Sequence, residues 1–435
     1  MSHSIRTITS RTATLVLALA AAGCAKAEPT PESEADMVAR AREIHQRVLT
    51  ADTHVDINPS NFTLQSPNYT DRLETQVNLP KMEEGGLDAV FFSIYVGQGE
   101  QTPEGYAKAF AEDMAKFDAV HRLAEEIAPD KIEIAYTAAD VSRIAAAGKK
   151  IGLMGVENGY GLGTDIANVK LFFDKGARYL SLSHNGHSQL SDSNTGERDD
   201  TWQWNGLSPL GKEVVQEANR LGIMLDISHP SKVSNLQVME MSRAPVIASH
   251  SGVRALCDVS RNLDDEQLQA LKKNGGVIQM VAFNNYVKKA PPDSPERAQA
   301  MTALREEFGL AAGGGGFGAA MASLTAEQRT QFRAKMEALN TAFPPPPKAT
   351  VSDFVDHIDY AVKLIGLEHV GISSDFDGGG GVDGFNDATE SPNVTIELVR
   401  RGYTEEQIGK LWSGNLLRVM AENEKVAAQL QAKTS

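Results

Sequence analysis

Eight short apolar runs, separated by amphipathic helical stretches, constrain the fold of this 435-residue chain more than any other feature. They are Thr50–Asp56, Ala89–Val96, Ile151–Asn158, Ala177–His184, Ile223–His229, Pro245–His250, Gly276–Phe283 and His369–Gly378. Strands that are apolar on both faces and linked through helices pair in parallel, because a parallel pair needs a long crossover. Each strand–helix–strand unit then brings its carboxyl ends to the same edge of the sheet. Eight such units predict an α/β fold, a closed (β/α)8 TIM-type barrel with its site at the carboxyl ends of the strands. The competing open, doubly wound sheet would need a glycine-rich phosphate loop after an early strand, and the sequence has none. Ile132–Tyr136 reads as a small extra strand outside the eight.

The polar residues at the strand ends carry the chemistry. The runs IMLDISH and PVIASH finish on His229 and His250, and a helix-like segment from Ser231 to Ser242 joins them. An apolar run has no structural need to end twice on an imidazole, so this unit reads as half of a metal site. His54 and Asp56 lie two apart on the first run and share a face. Glu157 ends the third run, His184 the fourth and Asp375 the eighth. Imidazoles and carboxylates converging on one rim suit zinc or a similar divalent ion. They outnumber the ligands of one four-coordinate ion, and a carboxylate bridging two ions about 3.5–4 Å apart accounts for the surplus. Glu157 suits the bridge, since its strand lies between the His54/Asp56 strand and the His229/His250 pair. Taken singly, Glu157 also reads as a helix cap, Asp375 as a turn aspartate before Gly378–Gly381, and His-x-Asp as a weak motif. His45, His121, His187, His357 and His369 read as ordinary satisfied or exposed imidazoles.

The segment 288–350 exceeds a minimal barrel. It falls between the seventh and eighth barrel strands, with helical pieces at Glu296–Phe308 and Thr325–Leu339 around Gly313–Gly316 and before Pro344–Pro347. Loops of such length are usually functional or flexible. This one reads as a helical flap or as a contact between two copies in a homodimer. Beyond the barrel, Tyr403–Ala427 reads as two amphipathic helices covering one end.

The amino terminus reads as processing signal rather than fold. Arg6 and Arg11 precede an apolar run from Ala13 to Ala22 that is too short for a stable membrane span. Ala21-Ala22-Gly23-Cys24 resembles the bacterial lipoprotein cleavage box, although the usual leucine three places before the cysteine is missing. The expectation is a signal peptide over 1–24, a lipid anchor on Cys24, a tether over 25–40 and a barrel over 41–435. Export to the periplasm or cell envelope follows, with ordinary signal cleavage as the alternative to lipidation. Cys257 is then left unpaired, so no disulfide framework is expected. A formal net charge of −15 argues against nucleic acid and against anionic membrane surfaces, leaving the anchor as the only membrane contact.

The stretches DTHVD, GVEN, YLSLSH, GLSPLGKEVVQEANRLGIMLDISH, SRAPVIASHS, SRN, VGISSDFDG and GNLLRV occur in this order between Val48 and about Ala427. Together they resemble the membrane (renal-type) dipeptidases. The resemblance implies hydrolysis of dipeptides with two zinc ions, His54 and Asp56 on one, His229 and His250 on the other, and Glu157 bridging. It also implies that His184 and Arg261 contact the substrate or tetrahedral intermediate and that Asp375 contacts it and moves the proton. Arg261 stands out by no pattern of its own and otherwise reads as a surface arginine. The chain departs from the family pattern in the 288–350 insertion, in Asn158 where glycine is common, and in Tyr160 where histidine is often found. Two other readings remain: a hydrolase of another amide, lactam or ester in the same barrel class, or an exported metal- or peptide-binding protein without turnover.

Overall fold

The computed structural model describes Met1, residues 32–310 and residues 324–433. The leader, Cys24 and the Gly313–Gly316 run lie outside the described residues. Nine parallel strands form the sheet: β1 (Ala51–Asp56), β2 (Ala89–Tyr95), β3 (Ile132–Ile134), β4 (Lys150–Glu157), β5 (Ala177–Ser181), β6 (Met224–Asp226), β7 (Ile247–Ser251), β8 (Val277–Val281) and β9 (Val370–Ser373). Eight of them follow the order β1-β2-β4-β5-β6-β7-β8-β9, and β3 pairs only with β4. The seam is drawn together by a parallel bridge between Val55 and Phe376, where Asp56 N–H donates to the Phe376 carbonyl at 2.9 Å. The result is a nearly closed (β/α)8 TIM-type barrel, with β3 as the expected extra strand.

Several strands stop earlier than their apolar runs, β9 at Ser373 among them, and in β6 and β5 a side chain accounts for it. β6 ends at Asp226 because that side chain takes over the role of the ladder, its Oδ1 accepting the N–H of Ser228 at 3.0 Å and of Ser249 at 2.9 Å. β5 ends at Ser181, whose Oγ donates to the Ser183 carbonyl at 2.8 Å. Competition of this kind by serine and aspartate side chains is why such residues favour turns.

Inside the barrel, Phe91, Leu153, Tyr179 and Met224 form an apolar floor together with Leu416, Val419 and Met420 of the closing helix. That helix, Asn415–Gln431, continues without a break from Glu405–Gly409 through a π-turn at Lys410–Gly414. A single run with a π-bulge therefore replaces the two helices expected there. The floor depends on one glycine. A Cβ on Gly155 would overlap the ring of Tyr179, so glycine on β4 is what lets that ring lie across the barrel. Overpacking a core costs about 1–3 kcal/mol. Gly155→Ala is expected to lower the melting temperature by that equivalent and to weaken metal retention, because Tyr179 supports His54 from below. An unchanged melting temperature would show that the ring has room to move.

The helix Glu34–Arg47 buries Met37, Ala41 and Ile44 in the main core. Residues 34–40, placed in the tether by sequence reasoning, are thus part of the folded body. The insertion holds the helices Pro295–Glu307 and Ala326–Ala342, packed around Leu304, Leu310, Leu324, Phe332 and Leu339. Arg333 ties it to Glu74 in the loop after β1. Among the described residues, no helix is long and apolar enough to cross a membrane, and Cys257 is a free, buried cysteine.

Candidate metal centre

The strand ends converge as the barrel demands. Glu157, last on β4, reaches in two directions: its Oε2 lies 3.2 Å from His54 Nε2, and its Oε1 lies 2.9 Å from His229 Nε2 and 3.3 Å from His250 Nε2. His184 Nε2 stands 3.6 Å from the same Oε1. Around His54 Nε2, Asp375 Oδ1 lies at 3.9 Å and Asp56 Oδ2 at 4.0 Å. Three groups arise, His54–Glu157–His250, Glu157–His184–His229 and His54–Asp56–Asp375, each with one ligand atom per residue within 4.8 Å of the others. Glu157 is common to two of them. Its carboxylate faces both halves of the cluster.

Electrostatics suit a cation here. Burial would raise the Glu157 carboxyl, but the imidazoles gathered around it, His54 and His184 first and then His229 and His250, hold it well below the usual range. Burial raises Asp375 well above its usual value, Asp56 and Glu157 add to this, and His54 and Arg261 oppose it. Burial would lower His54, yet Glu157, Asp375 and Asp56 carry it up to about 10. Burial lowers His229 and His250 well below the imidazole range. His184 falls to about 4 by burial, with Arg261 and His54 adding to the effect of burial against Glu157.

The donor set fits divalent ions on structural grounds. His54 Nε2 is buried without a hydrogen-bond partner among the described residues, close to Glu157 but not aligned with it. The Nε2 atoms of His229 and His250 face each other at 3.1 Å, a contact in which neutral imidazoles can satisfy at most one lone pair. Lone pairs of imidazole and carboxylate gathered in a buried cup are what zinc-like ions coordinate.

Local backbone holds these groups in unusual conformations. Asn158, after Glu157, has φ 76°, and Asp375 and Asp377 have φ 59° and 63°. Non-glycine residues in the left-handed region are mostly asparagine and aspartate. Asn158 therefore does the conformational work of the glycine common at that position, and its Nδ2 also donates to the Val96 carbonyl at 3.1 Å. Tyr160 Oη donates to the Glu100 carbonyl at 2.5 Å, and its ring lies against that of Tyr106 with centroids 5.2 Å apart. Gly378 lies over the site, where a Cβ would run into Asp56 Oδ2 and Asp375 Oδ1.

Arg261 is 4% exposed, which removes its reading as a surface arginine. Its Nη1 donates to the Ser228 carbonyl and, at 3.1 Å, to Ser251 Oγ, and its Nη2 donates to the His250 carbonyl at 3.0 Å. Nε is buried and has no partner among the described residues. The guanidinium also lies 5.6 Å from the Tyr286 ring centroid. The five other histidines among the described residues have structural contacts: His45 with Thr395 and Gly85, His121 with Glu125 and Lys175, His187 with Asp192 and Ser193, His357 with Val253 and Val287, and His369 with Gly276.

Several residues that hold the cluster do not stand out in the sequence. Ser93 donates to Glu157 Oε2 at 3.1 Å, and Tyr179 Oη lies 2.8 Å from His54 Nδ1. Tyr95 lies tilted against His184 with ring centroids 4.7 Å apart, beneath the ammonium of Lys116. The only available signal was position: Ser93 and Tyr95 occupy alternate places at the carboxyl end of an apolar run.

Comparison with known proteins adds to the geometry. Residues 38–434 match the membrane dipeptidase family, peptidase family M19. Dipeptidase aclJ of Aspergillus oryzae is 30% identical over 370 residues, which are 83% of this chain and 74% of that protein. The crystal structure of the probable dipeptidase PvdM from Pseudomonas aeruginosa is similar with a TM-score of 0.74 and 34% identity, covering 90% of this chain and 99% of that one. A metallo peptidase from Rhodobacter sphaeroides, solved with a phosphinate mimic of the dipeptide L-Ala-D-Ala, shares the fold at 24% identity and a TM-score of 0.62, over 86% of this chain and 99% of the other.

Proposed function

The chain belongs to the membrane dipeptidase family of metallopeptidases, and on that premise we propose that it is an exported dipeptidase working with two zinc ions. The observation that carries this reading is the two-sided reach of Glu157, with one oxygen toward His54 and the other toward His229 and His250. His54 and Asp56 would hold one ion, His229 and His250 the other, with Glu157 between them. Bound there, two such ions would supply the Lewis acidity that polarises a carbonyl and makes hydroxide available near neutral pH.

The chain's own residues then divide the remaining work. His184, kept neutral by burial at physiological pH, offers an N–H to the oxygen that becomes negative as the scissile carbonyl is attacked. Asp375 accepts a proton from the attacking water at its carboxylate and returns it to the leaving amine, a role suited by a raised carboxyl. Arg261 keeps its unpartnered Nε–H for the free carboxylate of a short substrate, while its Nη groups brace the ends of β6 and β7. A longer peptide brings no carboxylate to that place, which limits the enzyme to dipeptides. Export and anchoring at Cys24 are part of the same proposal and rest on the leader sequence.

A panel of dipeptides, tripeptides and dipeptide amides, run with zinc analysis of the same preparation, tests this. Dipeptides should be cleaved by protein carrying close to two zinc equivalents, and amides should lose the about 2–5 kcal/mol that accompanies an unpaired buried charge. Efficient cleavage of dipeptide amides would remove Arg261 from carboxylate recognition, and turnover by zinc-free protein would end the two-ion reading.

A further inference from the structure

Behind one of the histidines stands a buried carboxylate, joined to it through a serine. Ser249 precedes His250 on β7, and its Oγ lies 2.7 Å from His250 Nδ1. The same Oγ lies 2.7 Å from Oδ2 of Asp226, the last residue of β6. Asp226 is 1% exposed. Its Oδ1 is occupied by the N–H groups of Ser228 at 3.0 Å and Ser249 at 2.9 Å.

These contacts fix the direction of each hydrogen bond. Ser249 has a single hydroxyl proton, and the carboxylate is the stronger acceptor, so that proton points to Asp226. The Ser249 oxygen then offers a lone pair to His250 Nδ1, which must carry a hydrogen. Ser228 Oγ agrees with this direction: it accepts the His250 N–H at 3.0 Å and lies 3.3 Å from Ser249 Oγ, to which it can donate. A neutral imidazole with its hydrogen on Nδ1 has its lone pair on Nε2. Nε2 is the atom that faces Glu157 and His229.

We propose that Asp226 and Ser249 form a positioning relay that holds His250 as the Nδ1–H tautomer and so makes its Nε2 available as a metal ligand. Neither residue touches the ion or the substrate. The proposal rests on the two-ion reading given above. It also sets the histidines apart: His54 Nδ1 has Tyr179 Oη behind it, whereas His229 Nδ1 is buried without a partner among the described residues.

The relay has a polarity that a shape-conserving substitution reverses. In Asp226→Asn the two backbone N–H groups hold the amide oxygen at the Oδ1 position, so the NH2 group falls opposite Ser249 and donates to it. Ser249 must then turn its own hydrogen onto His250 Nδ1, which drives the ring hydrogen to Nε2. An Nε2 that carries hydrogen cannot ligate. Ser249→Ala removes the support without forcing this reversal.

Two measurements on the full chain test this: zinc titration of the metal-free protein against a chromophoric chelator, and 15N–1H spectra of its imidazoles. The wild type should show His250 as Nδ1–H, and finding Nε2–H there would overturn the relay without any variant. Asp226→Asn should bind one of the two zinc equivalents about 10–100-fold more weakly, the range for groups that orient a ligand, with His250 converted to Nε2–H. Ser249→Ala should lose less. Wild-type affinity together with an unchanged tautomer in Asp226→Asn would overturn the proposal. His250→Ala separates the two levels of failure. If it keeps both equivalents, the two-ion reading itself is wrong. If it loses one while Asp226→Asn keeps both, only the relay is wrong.

Discussion

Glu157→Gln is expected to release both zinc equivalents and to abolish turnover, the largest effect of any single substitution in this protein. The side chain is 4% exposed and both its oxygens are engaged, Oε2 toward His54 and Ser93, Oε1 toward His229, His250 and His184. Glutamine keeps the volume but replaces one oxygen with a donor and removes the charge. Whichever half of the cluster the NH2 group meets, it faces an imidazole nitrogen that would have shared a cation with it. Because both ions depend on this residue, the loss of activity should exceed the about 10²–10⁴-fold contributed by one acid–base group. His229→Ala is the comparison, since it should release mainly one equivalent. Metal analysis after gel filtration, paired with dipeptide turnover, reads both effects. A Glu157→Gln protein that retains two equivalents would show that the carboxylate is not the bridge.

Asp375→Asn should behave in the opposite way, slowing catalysis while metal stays bound. Asp375 follows β9 in a left-handed conformation, φ 59°, that asparagine adopts nearly as readily. Size and backbone are therefore conserved and only the proton-accepting ability is lost. Turnover should fall by about 10²–10⁴-fold, with zinc content and melting temperature close to wild type. The position of Oδ1, 3.9 Å from His54 Nε2 and grouped with Asp56, leaves a competing role as a ligand. In that case zinc would leave together with activity. A turn aspartate without a chemical role predicts near-normal turnover and some loss of stability.

The barrel was legible in the sequence because parallel strands buried on both faces read as uninterrupted apolar runs, and a ligand-type residue at the end of a run has no packing reason to be there. Convergence of His54, Asp56, Glu157, His184, His229, His250 and Asp375 follows from that periodicity alone. What supports them was hidden for a physical reason. Ser93, Tyr179 and Ser249 lie within the runs, where a small hydroxyl or an aromatic ring is ordinary strand composition, and only the fold reveals which ligand each one faces. Arg261 was hidden differently: it follows no period, and its burial depends on carbonyls from the loop after β6 and from β7. Strand ends at Asp226 and Ser181 were overestimated because side-chain hydrogen bonding, not hydropathy, stops the ladder there.

The seam between β1 and β9 also dictates when activity can first exist. Asp52 accepts the Ser374 N–H at 3.0 Å across 322 residues of sequence, next to the bond from Asp56 to Phe376. During synthesis, His54 and Asp56 are the first residues of the cluster to leave the ribosome and Asp375 is the last. Contacts this distant in sequence form late, after the loop-closure cost has been met. A nascent or truncated chain therefore carries most of the ligand residues without a seam to gather them, and it stays hydrolytically silent until its final strand arrives.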